Sequence, residues 1–234
     1  MAPEKGQTVA AGTGNVQCFP MIDSMLLLKN ALCSGCWQAL QERLAIDGYL
    51  LMRCMLPIAD VLEARAFLLS ELQRWQPQEA AVTTRYKWLR AVSPGEFTGL
   101  HTDRVFVGGS SPRLLTAWVP LGDVNIQHGP PLVCRGSHRL RAFDRLRGYA
   151  ASRVGSDGTR SGWLSGDGSV LASVVGRYAV DWRTAPLRAG DVVVLGLDTY
   201  HMTACNVSSE ARLSCDTRWQ PAGDPRHPPL RDWR

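Results

Sequence analysis

The sequence predicts a mainly β protein with flanking helices: an antiparallel barrel or sandwich preceded by helical segments and folded as one domain. From residue 82 onward, short apolar or alternating runs at 86–92, 100–107, 114–120, 131–134, 187–195, 199–205 and 211–219 are separated by Gly, Pro, Asp and Ser. Alternation sends successive side chains to opposite faces, and turn residues at this spacing mark a series of short strands. Upstream, 36–46 and 57–76 carry apolar residues three and four apart, and Pro57 opens the second run, so both read as amphipathic helices. A chain of 234 residues with 45% hydrophobic and 20% charged residues has room for one large core and is neither disordered nor fibrous in composition.

Taken in order, residues 1–20 read as a flexible tail, because no basic segment followed by an apolar core marks a secretory signal. The domain is expected over 21–221, with a helical part at 21–82 and a β core at 83–221, and a C-terminal tail follows at 222–234. Between the helices, Asp47-Gly48-Tyr49-Leu50-Leu51-Met52-Arg53 supplies a turn and one short strand, and Gln76-Pro77 ends the second helix. Residues 139–170 interrupt the β texture with a Gly-, Ser- and Arg-rich insertion holding one candidate helix near 139–150. Insertions of this length are usually functional or mobile. The apolar stretch Met25–Leu28 is far too short to span a membrane, and Asp232-Trp233-Arg234 is no peroxisomal signal, so the expected location is cytoplasmic. In that setting the sequon Asn206-Val207-Ser208 goes unglycosylated.

The net charge of +5 and pI near 9.0 raise the question of a polyanionic partner. Only Lys5, Lys29 and Lys87 are lysines, and so strong a skew toward arginine follows as easily from codon composition as from binding. No aromatic and basic platform precedes residue 100, so a nucleic-acid substrate is the weaker reading. Seven cysteines, at 18, 33, 36, 54, 134, 205 and 215, are odd in number and scattered. They read as free thiols in a reducing compartment. Cys33-Ser34-Gly35-Cys36 is a single CxxC without a second pair or histidines at zinc spacing.

The chemistry begins at Leu100-His101-Thr102-Asp103. Residues two apart on a strand share a face, so His101 and Asp103 can bind one ion side by side. His201 follows the strand-like Asp191–Leu195 and is the candidate third ligand. Two histidines and one carboxylate on one triangular face leave the opposite face open, which suits iron(II) more than a closed zinc site. Arg212 lies eleven positions after His201, and the extended runs 201–205 and 212–219 flank turn-prone residues, which predicts a hairpin. Such a hairpin brings Arg212 beside His201, where its guanidinium can clamp a carboxylate through two parallel hydrogen bonds. Thr203, in phase with His201, can add a hydroxyl. The plainer alternative pairs Arg212 with Asp216 on the same face.

With these residues in hand, the chain resembles the phytanoyl-CoA dioxygenase family of iron(II)/2-oxoglutarate oxygenases, from about Asp47 to Pro221. The resemblance rests on Asp47-Gly48-Tyr49, His101-x-Asp103, Leu115–Leu121, the Gly-Pro and Gly136-Ser137-His138 stretches, Gly190-Asp191-Val192, and the register of His201 with Arg212. It implies a double-stranded β-helix, or jelly roll, with iron(II) held by His101, Asp103 and His201. It also implies 2-oxoglutarate anchored by Arg212, with Thr203 and Trp118 at positions that contact it. Lys87 is assigned to the same co-substrate site, with Arg90 as a neighbouring pocket residue.

The implied reaction consumes oxygen and 2-oxoglutarate, releases succinate and carbon dioxide, and hydroxylates a C–H bond of a small molecule. Asp103 at the carboxylate position favours hydroxylation over halogenation. The substrate, an acyl-CoA or other anionic metabolite, could be gripped by Arg135, Arg139, Arg141, Arg145, Arg147 and Arg153; a solvated helix face is the plainer reading of that cluster. His138 reads as a structural loop residue, and His128 and His227 as solvated. The doubled Pro130-Pro131 and the insertion depart from the family pattern and bear on the substrate. The rival functions are a metal-binding jelly roll without turnover and a cupin-like isomerase or lyase that needs no co-substrate.

Overall fold

A computed structural model describes residues 6–24, 37–74, 87–107, 111–147 and 162–220, without the side chains of 67–74 and 87. Among these residues, ten strands form two five-stranded sheets. The strands are β1 (Gln7–Ala11), β2 (Gly14–Pro20), β3 (Tyr49–Met52), β4 (Lys87–Val92), β5 (Leu115–Pro120), β6 (Pro131–Cys134), β7 (Trp182–Thr184), β8 (Val192–Gly196), β9 (His201–Thr203) and β10 (Arg212–Trp219). One sheet runs β1-β2-β7-β6-β9 and the other β3-β8-β5-β10-β4, so sequence neighbours repeatedly cross between sheets. That interleaving is the jelly roll.

The core between the sheets is a cluster of Tyr49, Leu51, Trp118, Val133, Val193 and Leu195 with their buried neighbours. Inward and outward residues alternate along β3: Leu51 belongs to this core, whereas Leu50 and Met52 face outward and meet Leu40. Leu40 lies on α1 (Gln38–Asp47), which is followed after β3 by α2 (Ile58–Arg74). The first helix stops where Gly48 adopts φ 81°, a left-handed geometry that favours glycine, and its N–H caps Leu44. Buried Asp47 is then held by Arg43 at 3.0 Å and Arg135 at 2.6 Å. Tyr49 enters the core with its hydroxyl accepting from the Ile22 N–H at 3.1 Å. Among the described residues no helix is long and apolar enough to cross a membrane.

Four expectations need correction. Residues 7–20 are no tail: β1 and β2 pair in antiparallel register, and β2 adds to β7 in parallel. Their alternating Val9, Ala11, Val16 and Cys18 bury one face, a period-two pattern that Gly and Thr residues obscured. The run 100–107 is not one strand. Only a bridge at Leu100 and His101 is extended, and Arg104–Val107 turn into a single helical turn, α3. There the Asp103 carbonyl accepts from the N–H groups of Phe106 and Val107, at 3.0 and 3.2 Å, and Arg104 pairs with Asp198. Tertiary capping overrides the β propensity of Val-Phe-Val.

The predicted hairpin of 201–205 with 212–219 does not form. β9 and β10 lie in opposite sheets, so the connection spans the sandwich. Asn206 fixes that crossing: its amide donates to the carbonyls of Val92 and Glu210 at 2.9 and 2.7 Å, and its oxygen accepts from the Ser208 N–H at 3.1 Å. Fully buried, it is inaccessible as a sequon. Near 139–150 the structure has a 3₁₀ turn at Arg141–Phe143 and the short helix α4 (Asp144–Arg147); α5 (Val170–Val175) follows the insertion. Residues 148–161 and 221–234 lie outside the described residues, as do Cys33, Cys36 and His227.

The Asn206 crossing yields a stability prediction. Asn206→Ala leaves two backbone carbonyls without their donor in a buried setting and is expected to lower unfolding free energy by about 2–3 kcal/mol. Urea denaturation checks this; a change below about 0.5 kcal/mol contradicts it.

Candidate metal centre

Two backbone hydrogen bonds bring the histidines together across the fold. The N–H of His101 donates to the carbonyl of His201, and that of His201 to the carbonyl of His101, each at 2.9 Å. The rings lie 4.3 Å apart between centroids. Each Nδ1 faces a carbonyl, Gly99 at 2.7 Å for His101 and Thr199 at 2.9 Å for His201. A carbonyl only accepts, so Nδ1 carries the proton and each Nε2 presents a lone pair. Asp103, on the turn after His101 rather than on a strand, brings Oδ1 within 4.0 Å of the His101 Nε2. One donor atom from each of His101, Asp103 and His201 lies within 4.8 Å of the others, a spacing at which one ion can bind all three.

The electrostatics suit that role. Burial, followed by the neighbouring His201, pushes the His101 pKa down to about 3, so the imidazole is neutral at physiological pH. Burial alone would raise the Asp103 carboxyl, but Arg218 and then the two histidines hold it below the usual carboxylate range. Its oxygens are both engaged: the Thr116 hydroxyl donates to Oδ2, and Arg218 Nη2 donates to Oδ1 at 3.1 Å. Carboxylate and imidazole are therefore already in their metal-binding protonation states.

Arg212 lies across the sandwich from β9. It is 2% exposed, and none of its three guanidinium nitrogens has a hydrogen-bond partner. Its guanidinium carbon sits 5.4 Å from the Trp118 ring centroid. Burial lowers its pKa to about 10, partly offset by Asp216, and leaves it charged at physiological pH. The alternative pairing with Asp216 is not made: Asp216 Oδ2 accepts from Arg90 Nε at 2.9 Å, and its Oδ1 makes no hydrogen bond to Arg212. An unpaired buried guanidinium is costly, and the chemistry that relieves it is an anion such as a carboxylate. A pocket is lined by the three candidate ligands and by Trp118, Thr203 and Arg90 among others, and Arg212 adjoins this lining through its contact with the Trp118 ring. The Thr203 hydroxyl accepts from the Thr98 N–H at 2.8 Å.

Some assignments fall elsewhere. Lys87 pairs through its backbone with Thr217, and its side chain lies outside the described residues. Arg90 is the basic β4 residue among those described that lines the pocket. Arg135, Arg139 and Arg147 are engaged in structural contacts, with Asp47, the Ile46 carbonyl, and the Ser137 and Leu140 carbonyls respectively, and none lines the pocket. His138 lies against the Ala45 carbonyl at 2.8 Å, and His128 takes part in a cap at Asn125. Sequence reasoning missed Arg218 and Thr116, although strand parity signals both: 212, 214, 216 and 218 share a face of β10, as do 116 and 118 on β5.

Fold and site together define a jelly-roll protein with a buried cluster of two histidines and one carboxylate that could hold a metal ion, and with a buried, unpartnered arginine. The phytanoyl-CoA dioxygenase (PhyH) family profile matches residues 46–214, and the chain belongs to that family, whose cofactors are iron(II) and 2-oxoglutarate. The neutral imidazole of His101, the ionised carboxylate of Asp103 and the unpaired Arg212 fit both groups. Among solved structures, the carbocyclase SnoK of nogalamycin biosynthesis is 20% identical with TM-score 0.57, covering 84% of this chain and 88% of its own. The epimerase SnoN, with Fe3+, alpha ketoglutarate and nogalamycin RO, is 20% identical with TM-score 0.57, covering 82% and 86%. The non-heme monooxygenase ThoJ in its nickel complex is 16% identical with TM-score 0.54, covering 80% and 79%. These show the shared fold. No curated protein sequence matches the chain.

The depressed His101 pKa has a consequence for the metal-free protein. The unfolded chain binds a proton at this histidine below about pH 6.5 that the folded chain does not take up until about pH 3. Stability therefore falls as pH drops through that window, by up to about 2 kcal/mol between pH 7 and 5 from this group. Chemical denaturation at the two pH values should show a smaller loss in His101→Gln than in wild type. An equal loss contradicts the buried neutral histidine.

Proposed function

We propose that the protein is an iron(II)/2-oxoglutarate-dependent hydroxylase of a small molecule, with His101, Asp103 and His201 as the metal ligands and Arg212 as the anchor of the distal carboxylate. The observation that carries this reading is the buried, unpartnered guanidinium of Arg212 packed over Trp118, a ring that lines the same pocket as His101, Asp103 and His201. The iron and co-substrate, when bound, supply oxygen activation and hydrogen abstraction. The chain supplies the rest. Thr199 and Gly99 carbonyls hold the imidazoles in the tautomer that presents Nε2, and Thr116 and Arg218 fix the rotamer of Asp103. Trp118 packs on the Arg212 guanidinium and would shield a carboxylate held there from water, with Thr203 on the pocket wall. Asp103 occupies the position that a halogenase leaves free for halide, which supports hydroxylation.

A second reading keeps the same cofactors but ends in ring closure or inversion of a stereocentre. SnoK and SnoN, named as a carbocyclase and an epimerase, have this fold, and both outcomes can begin from the same hydrogen abstraction. Oxygen-18 incorporation into product separates them, since only hydroxylation retains a labelled oxygen atom.

Anaerobic addition of iron(II) and 2-oxoglutarate to wild type should give a weak visible charge-transfer band. Asp103→Ala should abolish it, and Arg212→Ala should raise the required 2-oxoglutarate concentration by about tenfold or more. Admission of oxygen should yield succinate. No band in wild type, or a band unchanged in both variants, contradicts the proposal; a band without succinate favours a binding protein without turnover.

A further inference from the structure

On the reading of the centre given above, we infer that Arg218 anchors an anionic group of the substrate, so that the oxidised molecule is an organic acid. The Arg218 side chain is 9% exposed. One nitrogen, Nη2, donates to Asp103 Oδ1 at 3.1 Å, while Nε and Nη1 are buried without a hydrogen-bond partner. Trp88 holds the guanidinium in place, 5.9 Å from ring centroid to guanidinium carbon, and Arg90 lies at 4.9 Å from the same ring. Phe106 closes the cluster, edge-on to Trp88 at 5.6 Å and to His101 at 5.3 Å. The two idle donors therefore belong to a buried guanidinium that touches the candidate ligand Asp103 and packs against Trp88.

Charge accounting gives the same answer. Arg90 pairs with Asp216, Arg218 pairs with Asp103, and Arg212 neighbours Asp216, so these three cations meet two carboxylates, an excess of one positive charge in this group. Iron(II) and the 2-oxoglutarate dianion cancel, so the loaded site keeps that excess. Arg90 is matched by Asp216, and Arg212 is matched by the distal carboxylate. Asp103, which Arg218 shares in the protein alone, becomes an iron ligand and is no longer a full counter-charge. Arg218 is the guanidinium left over, and a buried cation with unmet donors favours an anion over a neutral ligand of the same shape. A planar fork with two idle N–H groups suits a carboxylate in particular. Because Nη2 touches the Asp103 oxygen that faces His101, an acid held there sets its nearby C–H bonds close to the metal.

The test uses full-length protein loaded anaerobically with iron(II) and saturating 2-oxoglutarate, which keeps Arg212 occupied. Acetate, benzoate and cinnamate are titrated against their primary amides, read by tryptophan fluorescence, to which Trp88 contributes, and by the charge-transfer band. Wild type should bind at least one acid about tenfold or more tightly than its amide, and Arg218→Gln should reduce that preference to about twofold or less. The charge-transfer band in Arg218→Gln confirms that the variant folds and binds 2-oxoglutarate. If that variant does not load, Arg218→Lys carries the test: it keeps the charge but lacks the fork, and acid affinity should fall about threefold or more. No acid preference in wild type, a preference unchanged in the variant that loads, or an effect confined to 2-oxoglutarate affinity each overturns the inference. The last outcome assigns Arg218 to the co-substrate instead. Absence of any charge-transfer band in wild type is a failure of the metal-centre reading, and is thus distinguished from failure of the Arg218 assignment.

Discussion

A guanidinium sealed inside a protein with none of its donors satisfied is a constraint on everything around it. Arg212 is in that position: the neighbouring Asp216 partly offsets its charge but gives Oδ2 to Arg90 and makes no hydrogen bond to Arg212. Leaving such a cation unpaired works against stability unless a ligand completes it. Trp118 lies beside it, with the guanidinium carbon 5.4 Å from the ring centroid. The two sheets then set what that ligand must bridge, because β10 carries Arg212 on one sheet and β9 carries His201 on the other. On the function proposed above, a molecule with a carboxylate at one end and metal-chelating oxygens at the other would meet both groups.

The opposite end is held by short-range geometry. The reciprocal backbone bonds between His101 and His201 fix two imidazoles at one point on the seam between the sheets. The carbonyls of Gly99 and Thr199 choose the tautomer, and burial keeps His101 neutral. Asp103 reaches the same point from the turn into α3, where Thr116 and Arg218 hold its two oxygens. Ligand orientation therefore depends on residues from β5, β9, β10 and the 99–103 segment together, which is why a short motif such as His-x-Asp carries little information by itself.

Much of this was legible in the sequence where local pattern and chemistry coincide. Alternation gave β4, β5, β6 and β10 within a residue or two, and the Asp47-Gly48-Tyr49 turn gave the junction of α1 and β3. His101, Asp103, His201 and Arg212 were nameable because their residue types and spacing point to one chemistry. What was hidden depended on contacts distant in sequence. The edge hairpin β1–β2 has a period-two pattern but is recruited by β7, some 160 residues away. The turn at Arg104–Val107 is imposed by Leu197 and Asp198. The route from His201 to Arg212 looks like a hairpin from turn residues alone, whereas buried Asn206 tethers it to Val92 and carries it across the sandwich. Arg218 and Thr116 escaped notice because neither belongs to a motif; only their common reach toward Asp103 marks them.

The central claim is that Arg212 exists to hold the far carboxylate of a keto acid whose near end binds the metal. It is tested most directly by comparing 2-oxoglutarate with 2-oxopentanoate, which has the same chelating head and lacks the distal carboxylate, in anaerobic titrations of the iron(II)-loaded protein. Wild type should bind 2-oxoglutarate about 100-fold more tightly, and Arg212→Gln should reduce that ratio to about threefold or less, because the variant removes the partner that the two ligands distinguish. Equal affinity for the two acids in wild type, or a ratio that survives in Arg212→Gln, would contradict the account.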